Sequence, residues 1–210
     1  MLEPLVEPWP VGKAMYRGHR SGTDGRRFNP GYGQPTRFAF FQDNGTNVPV
    51  FYAGNTVDVA IAETLFHDLP LEHGAALLFF RFSDVAYSRM VPKRDLRLGV
   101  LHGDGLRRLG LRNHQLCDTD AVEYPDTVLW AAALHSRRDL ALDGLVWMSR
   151  QFNREEAVVL FGDRVAIDDF ELDLYEKDIP FEAGRGLGTL LIAAERAGVV
   201  VQTPPNPFLS

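Results

Sequence analysis

The chain holds one cysteine, Cys117, in 210 residues. A lone thiol cannot close an intramolecular disulfide, so nothing marks a scaffold stapled for an oxidising compartment, and a reducing cytoplasm is the expected location. Long apolar runs are missing too. Charge-free apolar stretches such as 75–80 and 128–134 fall far short of the roughly 20 residues that span a bilayer, so no membrane segment is expected. Residues Met1 to Pro10 have neither the basic leader nor the apolar run of about 7–15 residues that a signal peptide requires. Excess positive charge is also lacking: 22 Lys+Arg against 28 Asp+Glu leave −6, with a pI near 5.5. That balance argues against a chain whose main task is coating nucleic acid. No internal repeat, low-complexity tract or long linker breaks the sequence, and one domain spanning 1–210 is expected.

What is present is ordinary for a globular protein, with 45% hydrophobic and 24% charged residues, enough to build a packed core. The first fifty residues are punctuated by glycine and proline and read as loops. Within them, 37–41 and 48–53 have the aromatic and β-branched content of short strands, and Pro49 places the second at a sheet edge. The turn between them is Gln42 to Asn47. A helix is predicted from a Thr56 cap through Val59, Ala62, Phe66 and Leu69 to Pro70, with Asp58 suited to its positive end. Strands are expected at 76–82, 96–101, 144–148, 157–161 and 170–175, with a basic connecting region over 104–117. Helices are expected from Pro125 to about Arg138 and from Leu187 to Arg196, the latter stopped by Gly198. Helices and strands do not alternate regularly, which favours an α+β fold over a doubly wound sheet.

Glu63 stands out because it lies beside the Val59/Ala62/Phe66 stripe of an apolar helix. A carboxylate there is a boundary residue whose head reaches water, a partner of a buried cation, or a group kept for chemistry. His67 at i+4 adds only a second local ligand, too few for a metal site. Arg17, Arg20, Arg26, Arg27 and Arg37 crowd the glycine-rich region, where guanidinium groups can bind phosphate or simply tie loops together. Arg94, Arg97, Arg107, Arg108 and Arg112 admit the same bland reading, or an acidic partner. Gly184-Arg185-Gly186-Leu187-Gly188 lacks the spacing of a dinucleotide or P-loop fingerprint and reads as a helix lead-in. Cys117 near His114 and Asp118 is a poor thiol–imidazole pair, and Ser149 lacks the glycine pattern of a hydrolase elbow.

Taken in order, several segments resemble the RES domain, the Arg-Glu-Ser family of bacterial toxin–antitoxin pairs. They are Met15-Tyr16-Arg17-Gly18-His19, the stretch from Gly31 to Phe38, Val48 to Gly54, Ala60 to Asp68, Asp143 to Arg150, and Val158 to Arg164. The resemblance covers about three quarters of the chain and implies an ADP-ribosyltransferase-like α+β fold with a central pair of small antiparallel or mixed sheets flanked by helices. It also implies consumption of NAD⁺ by phosphorolysis, hydrolysis or transfer of ADP-ribose to a protein. A catalytically silent binding module of the same fold is the reading from another class.

The matched functional positions are Arg17, Arg37, Tyr52, Glu63 and Ser149. Arg27-Phe28 duplicates the Arg-Phe pair, so Arg27 competes with Arg37, which is preferred because it leads into the strand pair ending at Tyr52. On this resemblance Glu63, Arg17 and Ser149 are catalytic, and Arg17, Arg37 or Arg27, Tyr52 and Ser149 bind NAD⁺. Arg17 and Arg37 would clamp the diphosphate or hold inorganic phosphate as co-substrate, Tyr52 would stack on nicotinamide, and Ser149 would orient the ribose or a phosphate. Trp147 and Phe161 are read as core. No metal is expected. The implied partner is a helical, Xre-related antitoxin; nucleic acid and membrane are not expected as partners, and homo-oligomerisation stays open.

Overall fold

A computed structural model describes residues 3–70, 72–150, 152 and 154–203. Met1 and Leu2, and residues 204–210 of the expected 1–210 domain, lie outside the described residues. In chain order the strands are β1 (Val6–Trp9), β2 (Met15–Arg20), β3 (Gln42–Asp43), β4 (Thr46–Asn47), β5 (Val50–Gly54), β6 (Ala76–Leu78), β7 (Val85–Pro92), β8 (Leu96–Val100), β9 (Gly144–Met148), β10 (Glu156–Phe161), β11 (Phe170–Leu172), β12 (Ile179–Pro180) and β13 (Val200–Gln202). The α-helices are α1 (Val57–Ile61), α2 (Gly103–Arg108), α3 (Tyr124–Ser136) and α4 (Gly184–Ala197).

The fold is α+β, but a pair of small central sheets is not what forms. One nine-stranded sheet runs β1-β8-β9-β10-β5-β2-β7-β11, with β12 also on β7, and only β8–β9 is parallel. The β3–β4 hairpin and the parallel β6–β13 pair stand apart from it. Central strands are continuous apolar runs because both faces are covered. In β10, Ala157, Val159 and Phe161 enter a core beneath α3, while Val158 and Leu160 enter the opposite core with Trp9, Met15 and Phe51, as the period of two requires. A third cluster around Ile61, Phe66, Phe82 and Leu190 joins α4 to the end of α1.

Several local expectations give way to tertiary pairing. Residues 37–41 form no strand: Thr36 and Ala39 exchange backbone hydrogen bonds at 2.7 and 3.2 Å, and Phe38 and Phe41 are buried in the core under α3. Strand β5 is central, lying between β10 and β2. Pro49 sits just before it, where its missing N–H is harmless, and its carbonyl accepts the Gly162 N–H at 2.7 Å. Strands β1 and β2 arise inside the region read as loops, because their partners β8 and β7 lie far along the chain, Val6 pairing with Gly99 and Met15 with Met90. The expected strand over 76–82 shortens to β6 and turns into a 3-10 helix at Phe79–Arg81, and that over 170–175 ends at Leu172. The connecting region gains α2, and the Gly184–Gly188 lead-in is already the start of α4. Helix α3 begins one residue before Pro125, and α4 ends on a left-handed Gly198 with φ +68°.

His19 of β2 is buried, with Nε2 2.8 Å from Ser88 Oγ and Nδ1 3.0 Å from the Arg20 carbonyl. Desolvation lowers its pKa below 6.5, so the folded state holds the neutral ring and the unfolded chain takes up the proton first. Stability from this group is fully present above about pH 6.5 and is lost as pH falls below it. Urea unfolding at pH 7.5 and 5.5 will show lower stability at the acid value, and His19→Gln will reduce that difference.

Candidate active site

The carboxylate at the centre of the site is placed by an unusual helix. Thr56 caps α1, its Oγ1 accepting the Val59 N–H at 3.3 Å, and after five α-helical residues the chain widens into a π-helical turn over Ala62–Phe66. The expected α-helix to Leu69 is therefore broken at the functional residue, where single π turns commonly occur. Leu65 and Phe66 stay in the core while Glu63 and Thr64 line a cleft.

Among the described residues no cation reaches salt-bridge distance of Glu63. Its contact is Ser149, whose Oγ donates to Oε1 at 2.8 Å. Ser149 follows β9, is fully buried, and is held by its own N–H to the Glu155 carbonyl at 2.9 Å. Ser149 thus faces Glu63, where the sequence reading aimed it at the ribose or a phosphate. Glu63 is half-buried on the cleft wall, and among the described residues it is not one half of an ion pair; a boundary carboxylate whose head reaches the cleft and a group kept for chemistry both fit that placement.

Two cavities meet at this carboxylate. A cleft of about 730 Å³ is lined by Arg37, Tyr52, Glu63, Tyr124, Trp147 and Arg150, among others. A side arm of about 120 Å³ is lined by Arg17, Asn29, Thr64 and again Tyr52 and Glu63. The cleft has the size and the mixed apolar and polar walls of a small-molecule site.

The arginines divide sharply. Arg17 on β2 lies over the Phe51 ring, 4.3 Å from its centroid, and donates to the Gly25 carbonyl at 3.1 Å and to the Arg27 carbonyl. Burial pulls its pKa down to about 10, Asp24 partly opposing, so it remains cationic at neutral pH. Arg37 is buried and donates to the Oγ1 and carbonyl of Thr119 at 3.3 and 3.4 Å. Among the described residues neither has a carboxylate in ion-pair range, leaving two partly desolvated cations ready for an anion. Arg27 is exposed and lines neither cavity, whereas Arg37 lines the larger one. Arg20 pairs with Asp84 at 3.9 Å and Arg26 with Asp24 at 2.8 Å, so both tie loops. Arg94 grips Asp143 at 2.9 Å as part of the scaffold.

Tyr52 turns its edge to Trp147, centroids 6.0 Å apart, and its hydroxyl meets Thr36 Oγ1 at 2.9 Å and accepts the Phe38 N–H at 3.1 Å. Burial raises its pKa, so the phenol stays protonated and can serve as a wall but not as a base. Cys117 is inert: its thiol donates to the Leu101 carbonyl at 3.0 Å and burial pushes its pKa up to about 12. Sequence reasoning missed Arg150, which lines the cleft while pairing with Asp118 and Asp120 at 2.9 and 3.1 Å. Trp147 is core, as read from the sequence, and its buried ring also backs the cleft wall. For Arg150, adjacency to Ser149 was the available signal.

The site thus brings one carboxylate, Glu63, and the guanidinium groups of Arg17 and Arg37 to two adjoining cavities with mixed apolar and polar walls. The RES domain family model matches residues 8–181, and the chain belongs to the RES domain family, which is associated with NAD-utilising enzymes. No curated protein and no solved structure matches it. Among the described residues no helix is long and apolar enough to cross a membrane.

The meeting of β2 with the π turn depends on Gly18. A Cβ there would stand 2.3 Å from Thr64 Oγ1 and 2.8 Å from its Cβ and Cγ2, a clash that a β-branched neighbour cannot relieve by rotation. Gly18→Ala will destabilise the protein by about 1–3 kcal/mol in urea unfolding, and adding Thr64→Ala will recover part of the loss.

Proposed function

We propose that this protein cleaves the bond between nicotinamide and ribose in NAD⁺, by phosphorolysis or hydrolysis, and that it acts as the toxin of a toxin–antitoxin pair. The observation that carries this reading is the Glu63 carboxylate, without an ion-pair partner among the described residues and held by Ser149 where the cleft meets its side arm.

Cleavage moves the bonding electrons onto nicotinamide, which leaves neutral, and positive charge grows at the ribose anomeric carbon. A carboxylate beside that carbon stabilises the charge as it develops. The leaving group takes no proton, so neither a second carboxylate nor a metal is needed for departure. Water as nucleophile gives ADP-ribose and releases a proton; phosphate gives the 1-phosphate ester of ADP-ribose. In this reading Arg37 holds the diphosphate in the larger cleft, Arg17 faces the side arm where an incoming phosphate fits, and Tyr52 walls the nicotinamide. Ser149 is a positioning residue for Glu63. The ADP-ribosyltransferase-like fold, the single domain over 1–210, the cytoplasmic location and a helical Xre-related antitoxin over the cleft belong to the same proposal and rest on family resemblance.

Purified protein incubated with NAD⁺ will release nicotinamide, and Glu63→Gln will slow release by about 100- to 1,000-fold while leaving the unfolding transition intact. Unchanged turnover in that variant overturns the assignment. Ser149→Ala will lower kcat by about 10- to 100-fold, the loss of one hydrogen bond to a charged acceptor. Product analysis with and without inorganic phosphate separates phosphorolysis from hydrolysis, and label transferred from NAD⁺ to a protein band would identify ADP-ribosylation instead.

A further inference from the structure

We infer that Asp43, His135 and Asp163 form a binding site for one divalent ion of the zinc class, outside the cleft and independent of the NAD⁺ reading. One ligand atom from each residue lies within 4.8 Å of the other two. The residues come from three elements: β3, the last turn of α3, and the turn after β10. The sequence conceals them, since nothing in the spacing 43, 135, 163 resembles a ligand motif.

The donor set is mixed, one imidazole nitrogen with two carboxylates. His135 is 1% exposed, and its ring is fixed edge-on between Phe41 and Phe161, with centroids 5.2 and 5.0 Å away. Its Nε2 points out of this aromatic wall and stands 3.0 and 3.2 Å from the two carboxylate oxygens of Asp163. Ligands bound at about 2.0–2.2 Å around a tetrahedron stand about 3.4 Å apart, so this pair needs little movement to share an ion. Three protein ligands leave the fourth position to water, and the partly exposed carboxylates give access. Imidazole nitrogen with carboxylate oxygen selects zinc-class ions over magnesium or calcium, which prefer all-oxygen shells.

Two guanidinium groups already face the carboxylates, and they are not equivalent. Arg164 lies 3.9 Å from Asp163 but is committed to the carbonyls of Leu142, at 2.6 Å, and His135. Arg138 contacts Asp43 at 2.5 Å and its side chain is 56% exposed. Arg138 is therefore the counter-ion that an entering dication displaces, and it can move into water when displaced. An ion here would clasp the β3–β4 hairpin and the end of β10 to the C-terminal turn of α3, the helix whose first turn supplies Tyr124 and Pro125 to the cleft.

The test uses the full chain, free of any histidine tag and stripped with chelator. Calorimetry with zinc chloride will show one saturable site, cobalt(II) will give the visible bands of a tetrahedral centre, and zinc will raise the unfolding temperature. Asp163→Asn and Asp43→Asn each weaken zinc binding by more than about 100-fold, beyond the loss seen for outer-shell residues, and these surface changes spare the core that His135→Ala would open. Arg138→Gln tightens binding, because the competing cation is gone. Absence of saturable binding in the parent chain, or affinity unchanged in Asp163→Asn, overturns the site.

Discussion

One hydrogen bond, from Ser149 Oγ to Glu63 Oε1 at 2.8 Å, joins the two halves of the site. Its donor stands at the end of a strand in the middle of the sheet, and its acceptor on a π turn packed across the same sheet. A half-buried carboxylate without a cation is costly unless its oxygens are satisfied. The serine meets that need without neutralising the charge, which an arginine would have done. Everything that shapes the cleft follows from keeping these two elements in register: Gly18 allows β2 to press against Thr64, and the wider π turn brings Glu63 and Thr64 to one wall.

The second constraint is electrostatic. A chain of net charge −6 repels an anion at long range, and screening confines that repulsion to about a Debye length. The proposed binding of NAD⁺ would then depend on cations whose charge is not spent internally. Most arginines here are spent: Arg20, Arg26, Arg89, Arg94, Arg150 and Arg196 all face aspartates. Among the described residues, Arg17 and Arg37 instead bond neutral acceptors, carbonyl oxygens and a threonine hydroxyl, and both line the cavities beside Glu63.

Legibility varied with the range of the interaction that fixed each feature. Thr56 as a cap, Pro125 at the start of α3 and Gly198 at the end of α4 act through local backbone geometry, and all were readable. Strands β9 and β10 were readable because burial on both faces leaves nearly unbroken apolar runs. The 37–41 segment misled because aromatic residues look alike in a strand and in a turn that anchors two rings in a core. Strands β1 and β2 were hidden because partners distant in the chain supply their hydrogen bonds. Ser149 was singled out through resemblance, but its hydrogen bond to Glu63 could not be read from the sequence, since the two residues lie 86 positions apart.

The sequence by itself determined the α+β character and membership of the RES family, since these reside in local periodicity and the order of short motifs. Only the tertiary structure decided that Arg37 and not Arg27 enters the cleft, that the helix widens at Glu63, and that Asp43, His135 and Asp163 meet. The physical reason is the same in each case. A side chain's partners across the fold are set by strand register and packing between segments far apart in the chain, and those pairings are written in no single stretch of it.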